Sequence, residues 1–488
     1  MKNRKFLFLL ILFLSLGLFA CETSKPVVDE TPDYNRLTVI SVNDTHGAIE
    51  ASDSNYGMAG LSWYINEERK DKDNAVLVLS AGDMFQGTAI SGYNHGLNMI
   101  NLMNEIGFSA MTIGNHEFDW GLDETLRFVD GDKSNGEANF PMLGCNIIEK
   151  ATGETPELVE DYEIIDYEKF KVGVIGYMGV GLETDIARSN VEAYEFVDPV
   201  PIVAELAAEL RTEKGCDIVI AMGHDASNVT NTMLANLKDE QAIDMIINGH
   251  THTTYVRYLT NGNGKTISVS QAGTANAALT KTVFNYNNDA LTFSTSTTVK
   301  LSSYDIEEDP VIKAIVKQMQ DELGPTMERV IGLAGRSVNR SSVSYWTADE
   351  ILKNAEADLA GINGGGIRSS AFPIRDGEAI TVKKCYEIMP FDNVIVTCQM
   401  TGQKLANVLI ITDIVFSTNV KRINNVFYIN DEPLDPERFY TFACVDYLFT
   451  RDEEIYNECL AQEYSTILIR DVIINGIENL NNEKWLNE

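Results

Sequence analysis

The stretch Ala110-Met111-Thr112-Ile113-Gly114-Asn115-His116-Glu117-Phe118-Asp119 decides how this chain folds. A short apolar run stops at a glycine and gives way to a loop rich in side chains that bind metals and carry protons. This is the pattern of a buried strand that delivers a polar loop from its carboxyl end. The pattern recurs on both sides of that stretch. Residues 37–42 lead into Asn43-Asp44-Thr45-His46-Gly47, and residues 75–80 into Ala81-Gly82-Asp83. Residues 218–222 precede Gly223-His224-Asp225, and residues 245–247 precede Asn248-Gly249-His250-Thr251-His252. Strand-like runs alternating with helical stretches predict an α/β domain over residues 36–300. In such architectures ligand sites collect at the carboxyl ends of the strands.

The chain has six histidines, and five of them, His46, His116, His224, His250 and His252, fall in these strand-end loops. Histidines placed only for packing would not select those loops. With Asp44, Asp83 and Asn115 they form a set of imidazole, carboxylate and amide oxygen without thiolate. That set suits Zn²⁺, Mn²⁺ or Co²⁺ and argues against an iron–sulfur or structural cysteine site. Eight such groups exceed what one tetrahedral ion needs, so two divalent metals sharing a carboxylate are expected. Metal pairs of this kind polarise a phosphoryl oxygen and activate water for in-line attack, which is the chemistry of phosphoester hydrolysis. The remaining histidine, His95 in Tyr93-Asn94-His95-Gly96, reads as a solvated loop residue.

Composition sets the outer bounds. The 488 residues carry 38 Lys+Arg against 72 Asp+Glu, a formal charge of −34, with 44% hydrophobic residues. The chain is too long for one core and too apolar for disorder, so two or three domains are expected. The acidic balance, with no basic run after the first five residues, argues against binding nucleic acid by neutralising its phosphates and in favour of a small-molecule substrate.

Residues 1–20 combine Lys2, Arg4 and Lys5 with an apolar run, and so read as a secretory signal and not a membrane span. Leu18-Phe19-Ala20-Cys21 resembles a bacterial lipoprotein box, in which Cys21 carries the lipid. Residues 21–35 read as a polar tether. The expected location is therefore outside the cytoplasm, anchored to the cell membrane only by the N-terminal lipid. Cys145, Cys216, Cys385, Cys398, Cys444 and Cys459 are scattered and form no CxxC pair, which favours free, buried thiols. An acidic helical stretch within residues 301–325, stopped by Gly324-Pro325, reads as an interdomain linker helix. Residues 326–488 read as a second domain with a Gly-rich loop, Asn363-Gly364-Gly365-Gly366-Ile367-Arg368.

The N-terminal motifs, in this order, resemble the calcineurin-like metallophosphoesterases. The Gly114–Asp119 run, the Gly-rich loop and Pro390-Phe391-Asp392-Asn393 resemble the two-domain 5′-nucleotidases. The resemblance implies a four-layer α/β/β/α catalytic domain followed by a smaller α+β substrate-binding domain. It implies that Asp44, His46 and His252 hold one metal, that Asn115, His224 and His250 hold the other, and that Asp83 bridges them. His116, oriented by Asp119, would stabilise charge on the transferring phosphoryl group. In the second domain Arg368 would hold phosphate, and Phe391 and Tyr447 would sandwich the base with Asn363 and Asn393 beside them.

Two segments depart from the family pattern. Where a second phosphate-binding arginine is expected, the region reads Arg336-Ser337-Val338-Asn339-Arg340, so Arg340 or Arg336 is the candidate. After Tyr447, a Gly-Gly-Asp-Gly loop is replaced by Leu448-Phe449-Thr450-Arg451-Asp452-Glu453-Glu454, leaving Asp452 or Glu453 as the candidate ribose-binding acid. The expected activity is removal of the 5′-phosphate from nucleotides. Hydrolysis of 2′,3′-cyclic nucleotides with 3′-nucleotidase action, or of nucleoside diphosphate sugars, is the alternative within the same family. A catalytically silent surface receptor is the alternative outside it.

Overall fold

The strand Arg36–Val42 is buried along almost its whole length and lies at the middle of a six-stranded sheet. It pairs in parallel with Asn74–Ser80, with Val42 opposite Ser80, so the two strands end level and release their loops side by side. Ala110–Thr112 and Met142–Leu143 continue the sheet on one flank, and Ala278–Asn287 and Ala290–Lys300 continue it antiparallel on the other. A second six-stranded sheet has Met245–Asn248, Ile218–His224 and Lys171–Met178 as its parallel centre. All seven residues of Ile218–His224 are buried, as expected of a strand covered on both faces. This computed structural model describes residues 33–300, 306–480 and 483–486. The signal, Cys21 and most of the tether lie outside the described residues.

The two sheets pack face to face. Leu37, Val39, Leu77 and Leu79 from the first meet Val172, Val174, Ile218, Ile220 and Met245 from the second. The outer face of the first sheet is covered by the helices Gly57–Arg69 and Leu97–Ile106, and that of the second by Pro199–Thr212 and Asn228–Ala235. This is the expected α/β/β/α order. Helix starts follow from local chemistry: the Asp198 carboxylate accepts the Val200 N–H at 3.0 Å while proline occupies the first turn.

One detail of the linker helix is corrected, its stop at Gly324-Pro325. The helix runs Pro310–Met327 and keeps Pro325 inside it. Pro325 sits in the last turn, where it forfeits a single backbone bond, and the preceding Gly324 has no Cβ to collide with the proline ring. The helix also packs against the first domain. Ile312, Val316 and Met319 join the core of the first domain, and its N-cap Asp309 accepts hydrogen bonds from Ser62 at 2.6 Å and Asn66 at 2.8 Å.

The second domain is built on a five-stranded sheet in the order Ile414–Phe416, Leu359–Asn363, Phe439–Val445, Val394–Thr401, Ala461–Leu468. Its core includes Ile351, Ile362, Phe442, Phe449 and Ile473. Tyr34–Glu488 cluster as one unit, and a cleft runs between the two domains. Among the described residues no helix is long and apolar enough to cross a membrane. The six cysteines from Cys145 to Cys459 are free thiols, all buried except the half-buried Cys459.

Candidate active site

Level strand ends bring the strand-end loops into contact. The Asp44 N–H donates to the Gly82 carbonyl and the His46 N–H to the Asp83 carbonyl, both at 2.9 Å. Gly82 adopts φ +87°, and a Cβ there would fall 2.8 Å from both the Gly114 nitrogen and the His224 Nδ1. Only glycine allows the three loops this close. Buried Glu117 ties two of them together, accepting from the N–H groups of Asp83 (2.8 Å), Met84 (2.9 Å) and Gly114 (2.8 Å). Burial and the nearby Asp83 carboxylate push Glu117 up to about 7.

The side chains of the metal loops gather in two groups that meet at Asp83. In the first, His46 Nε2 lies 2.9 Å from His252 Nε2, which in turn is 3.4 Å from Asp44 Oδ1. In the second, Asn115 Oδ1 lies 3.0 Å from His224 Nε2 and 3.1 Å from His250 Nδ1. Asp83 Oδ2 is 3.3 Å from His224 Nε2 and 4.0 Å from His46 Nε2. Candidate ligand atoms of Asp44, His46 and His252, and of Asp44, Asp83 and His224, lie close enough to share an ion.

Tautomer control makes this donor set fit divalent metals. His46 Nδ1 faces the Gln86 carbonyl at 3.1 Å and His224 Nδ1 faces the Ala81 carbonyl at 2.7 Å. Each carbonyl takes the ring proton and leaves the Nε2 lone pair aimed into the cluster, the usual arrangement for metal-binding imidazoles. Burial drives His46 down to about 3, so its ring is neutral and ready to ligate. Burial opposes charge on His224 as well, but Asp83 outweighs it and raises the group to about 10 in the absence of an ion. Five of these side chains project from left-handed backbone: Asp44 (φ 49°), His46 (48°), Asp83 (56°), His250 (79°) and His252 (56°). For residues with a Cβ, each such position costs about 1–3 kcal/mol.

His116 stands beside the cluster. Its Nδ1 is 2.8 Å from Asp119 Oδ2, and its backbone N–H donates to Asp83 Oδ1 at 2.9 Å. Burial disfavours the imidazolium, but Asp119 and Asp83 overcome that and raise it to about 9. The ring therefore offers positive charge at the edge of the cluster at neutral pH.

The opposite wall of the cleft belongs to the second domain. Arg368, Phe391, Asn393, Tyr447, Asn363 and Arg340 all line a cavity of about 870 Å³ that they share with Asp83, Asn115, His116, His250 and His252. The Phe391 ring lies 6.1 Å from the His116 ring at an interplanar angle of 26°, and the Arg368 guanidinium lies 5.1 Å from the Phe391 centroid. Arg340 reaches the carbonyls of Ile367 (2.6 Å) and Gly364, which fixes it on the Gly-rich loop, whereas Arg336 does not line the cavity.

Two sequence readings are corrected here. Asp452 and Glu453 do not line the cavity, because the departing segment folds into two short helices and Asp452 caps the second, accepting from the Glu454 and Ile455 N–H groups. Asp413, Asp446 and Arg451 occupy that side instead. His95 is not a solvated loop residue: its ring stacks on Trp120 and meets carboxylates of both domains. Trp120, Asp185 and Asn190 are further cavity residues that the sequence reading passed over. Trp120 was within reach, since it directly follows the Gly114–Asp119 motif.

Fold and cleft define a metal-assisted hydrolase of the phosphoesterase class, and comparison with known proteins specifies it further. The model of calcineurin-like phosphoesterases matches residues 37–254, and that of the 5′-nucleotidase C-terminal domain matches residues 325–460. The chain belongs to the family that joins these two domains. It is 27% identical over 431 residues to a 5′-nucleotidase of Vibrio vulnificus, covering 77% of this chain and 75% of that one. It is 29% identical over 409 residues to Endonuclease YhcR of Bacillus subtilis, covering 76% of this chain but only 32% of that much longer relative. Among solved structures, a 5′-nucleotidase precursor from Thermus thermophilus superposes with a TM-score of 0.73 at 21% identity, covering 92% of this chain and 97% of that one, which shows a shared fold.

Proposed function

We propose that this chain is an exported, lipid-anchored phosphohydrolase that uses two divalent metals to remove the 5′-phosphate from nucleotides. The observation that carries the reading is the convergence, in one interdomain cavity, of the metal-type cluster, the His116–Asp119 pair and the arginine and aromatic wall of the second domain. Asp44, His46 and His252 would hold one ion and Asn115, His224 and His250 the other, with Asp83 between them. When bound there, Zn²⁺, Mn²⁺ or Co²⁺ supplies Lewis acidity toward a phosphoryl oxygen and lowers the pKa of water.

The chain's own residues do the rest. His116, held by Asp119, places an imidazolium where charge builds on the phosphoryl oxygens. Arg368 and Arg340 face the same space, and a planar guanidinium meets two phosphate oxygens at once. Phe391 and Tyr447 offer apolar faces to a base, and stacking accepts purines and pyrimidines alike. Removal of the 5′-phosphate from a nucleoside monophosphate leaves an uncharged nucleoside, which loses the charge-assisted contacts to the arginines and is free to leave.

The test is phosphate release from AMP, ATP, 2′,3′-cyclic AMP, 3′-AMP and UDP-glucose, with each metal restored after chelation and a coupled phosphatase exposing phosphomonoester products. Metal-dependent release fastest from AMP supports the reading. Preference for the cyclic nucleotide or the sugar nucleotide moves the substrate within the family, and no turnover with both metals bound overturns it. Export and the lipid at Cys21 are tested separately, by mass spectrometry of the membrane-extracted protein before and after Cys21→Ser.

A further inference from the structure

His95 lies where the two domains touch at the rim of the cavity. Its Nδ1 is 2.7 Å from Glu124 Oε1 in the first domain, and its Nε2 is 3.4 Å from Asp392 Oδ2 in the second. The ring stacks on Trp120 at 4.9 Å and 19°, and the Trp120 indole N–H donates to the same Asp392 oxygen at 3.0 Å. Charged residues extend the contact on both sides. Arg127 pairs with Glu124 at 2.9 Å and donates to the Asn94 carbonyl at 3.2 Å. Arg470 pairs with Asp392 and donates to the carbonyls of Pro390 (3.2 Å) and Phe391 (3.4 Å). The result is a row of alternating charge, Arg127, Glu124, His95, Asp392 and Arg470, that crosses the domain boundary.

The row joins the two functional walls directly, because Trp120 follows Asp119 and Asp392 follows Phe391 in the chain. A neutral imidazole donates through one nitrogen only, so His95 donates to Glu124 and Asp392 at once only as the imidazolium. The hydrogen bond to Asp392 raises the His95 pKa against the opposing effect of burial, and Glu124 adds to the rise.

We propose that His95 is a positioning residue for nucleotide turnover: bridging Glu124 and Asp392, it holds the loop of residues 390–393 against the loop of residues 115–120, so that the base wall and the His116–Asp119 pair close on one substrate. The proposal rests on the nucleotide reading above. Because the folded-state pKa lies above the ordinary value, the bridge is complete below about pH 6.5 and is lost as pH rises through the raised value. The charged groups facing His95 are Glu124 and Arg127 from its own domain and Asp392 and Arg470 from the other, with the uncharged Trp120 indole against its face.

The experiment compares the wild-type chain with His95→Gln, His95→Phe and Glu124→Gln, using AMP and ribose 5-phosphate, which carries the same phosphoester without a base. The variants are expected to raise KM for AMP roughly tenfold while leaving kcat and ribose 5-phosphate turnover unchanged. Wild-type KM for AMP should climb as the pH rises from about 6.5 through the raised His95 value, and that climb should be absent in His95→Gln. Phe preserves the stack on Trp120 but not the bridge, so His95→Phe should behave like Gln, and wild-type behaviour there would overturn the proposal. An AMP to ribose 5-phosphate ratio and pH profile unchanged in all three variants would overturn it as well. Small-angle scattering supplies a readout free of any substrate: a larger radius of gyration in His95→Gln at pH 6 supports the bridge, and equal radii count against it. Wild-type chain inactive on both substrates would refute the nucleotide reading, and the scattering comparison would then decide the bridge alone.

Discussion

On the first domain's side of the cleft, Asp44, Asp83, Asn115 and His224 are buried, their carboxylates take backbone N–H bonds from His250 and His116, and their ring tautomers are set by carbonyls. On the second domain's side, Arg340, Arg368, Phe391, Asn393 and Tyr447 are half-buried, and Arg340 is held only by the carbonyls of the Gly-rich loop. The contrast separates two tasks. Metal chemistry tolerates little movement in its donors, so it is built into strand ends packed from both faces. Substrate choice depends on surfaces that can be exchanged without disturbing a core, and the segment around Tyr447, where the sequence departs from the family pattern, folds into two short helices.

If that division is right, damage should be graded. Asp83→Asn should have the largest effect: removing the shared carboxylate lowers bound metal below two ions per chain by elemental analysis and takes turnover below detection. His116→Ala should lower kcat by about 10²–10⁴ with metal content unchanged, since positioned proton-carrying groups contribute on that scale. Loss of metal in that variant would blur the line between the two walls. Phe391→Ala should raise KM for AMP about tenfold and leave ribose 5-phosphate alone, in keeping with ~1–3 kcal/mol for stacking one base. Asp452→Ala should have the smallest effect, lowering stability by about 1 kcal/mol through the lost helix cap. Its KM for AMP should stay the same, and a raised KM would return Asp452 to the substrate-binding wall.

The same division explains what could be read from the sequence. Each metal-loop residue directly follows an apolar run, so its position at a strand end follows from local pattern, and the loops converge because adjacent parallel strands end level. Pro325 misled because its effect depends on which turn of the helix it occupies. His95 misled because its partners, Glu124 and Asp392, come from a later helix and from the other domain. Asp452 resembled a ligand by type and order, yet a segment without glycines winds into helix there, and its carboxylate is taken up by backbone N–H groups. Arg451, Asp413 and Asp185 entered the cavity through domain packing, which no periodicity reports.

The left-handed backbone at Asp44, His46, Asp83, His250 and His252 bears on the chain's evolutionary fate. At each of these positions a glycine would sit more comfortably than the residue present, so the substitutions that silence the cluster also relieve its conformational cost. In a lineage no longer selected for turnover, that relief would offset part of the stability lost with the backbone hydrogen bonds of Asp44 and Asp83.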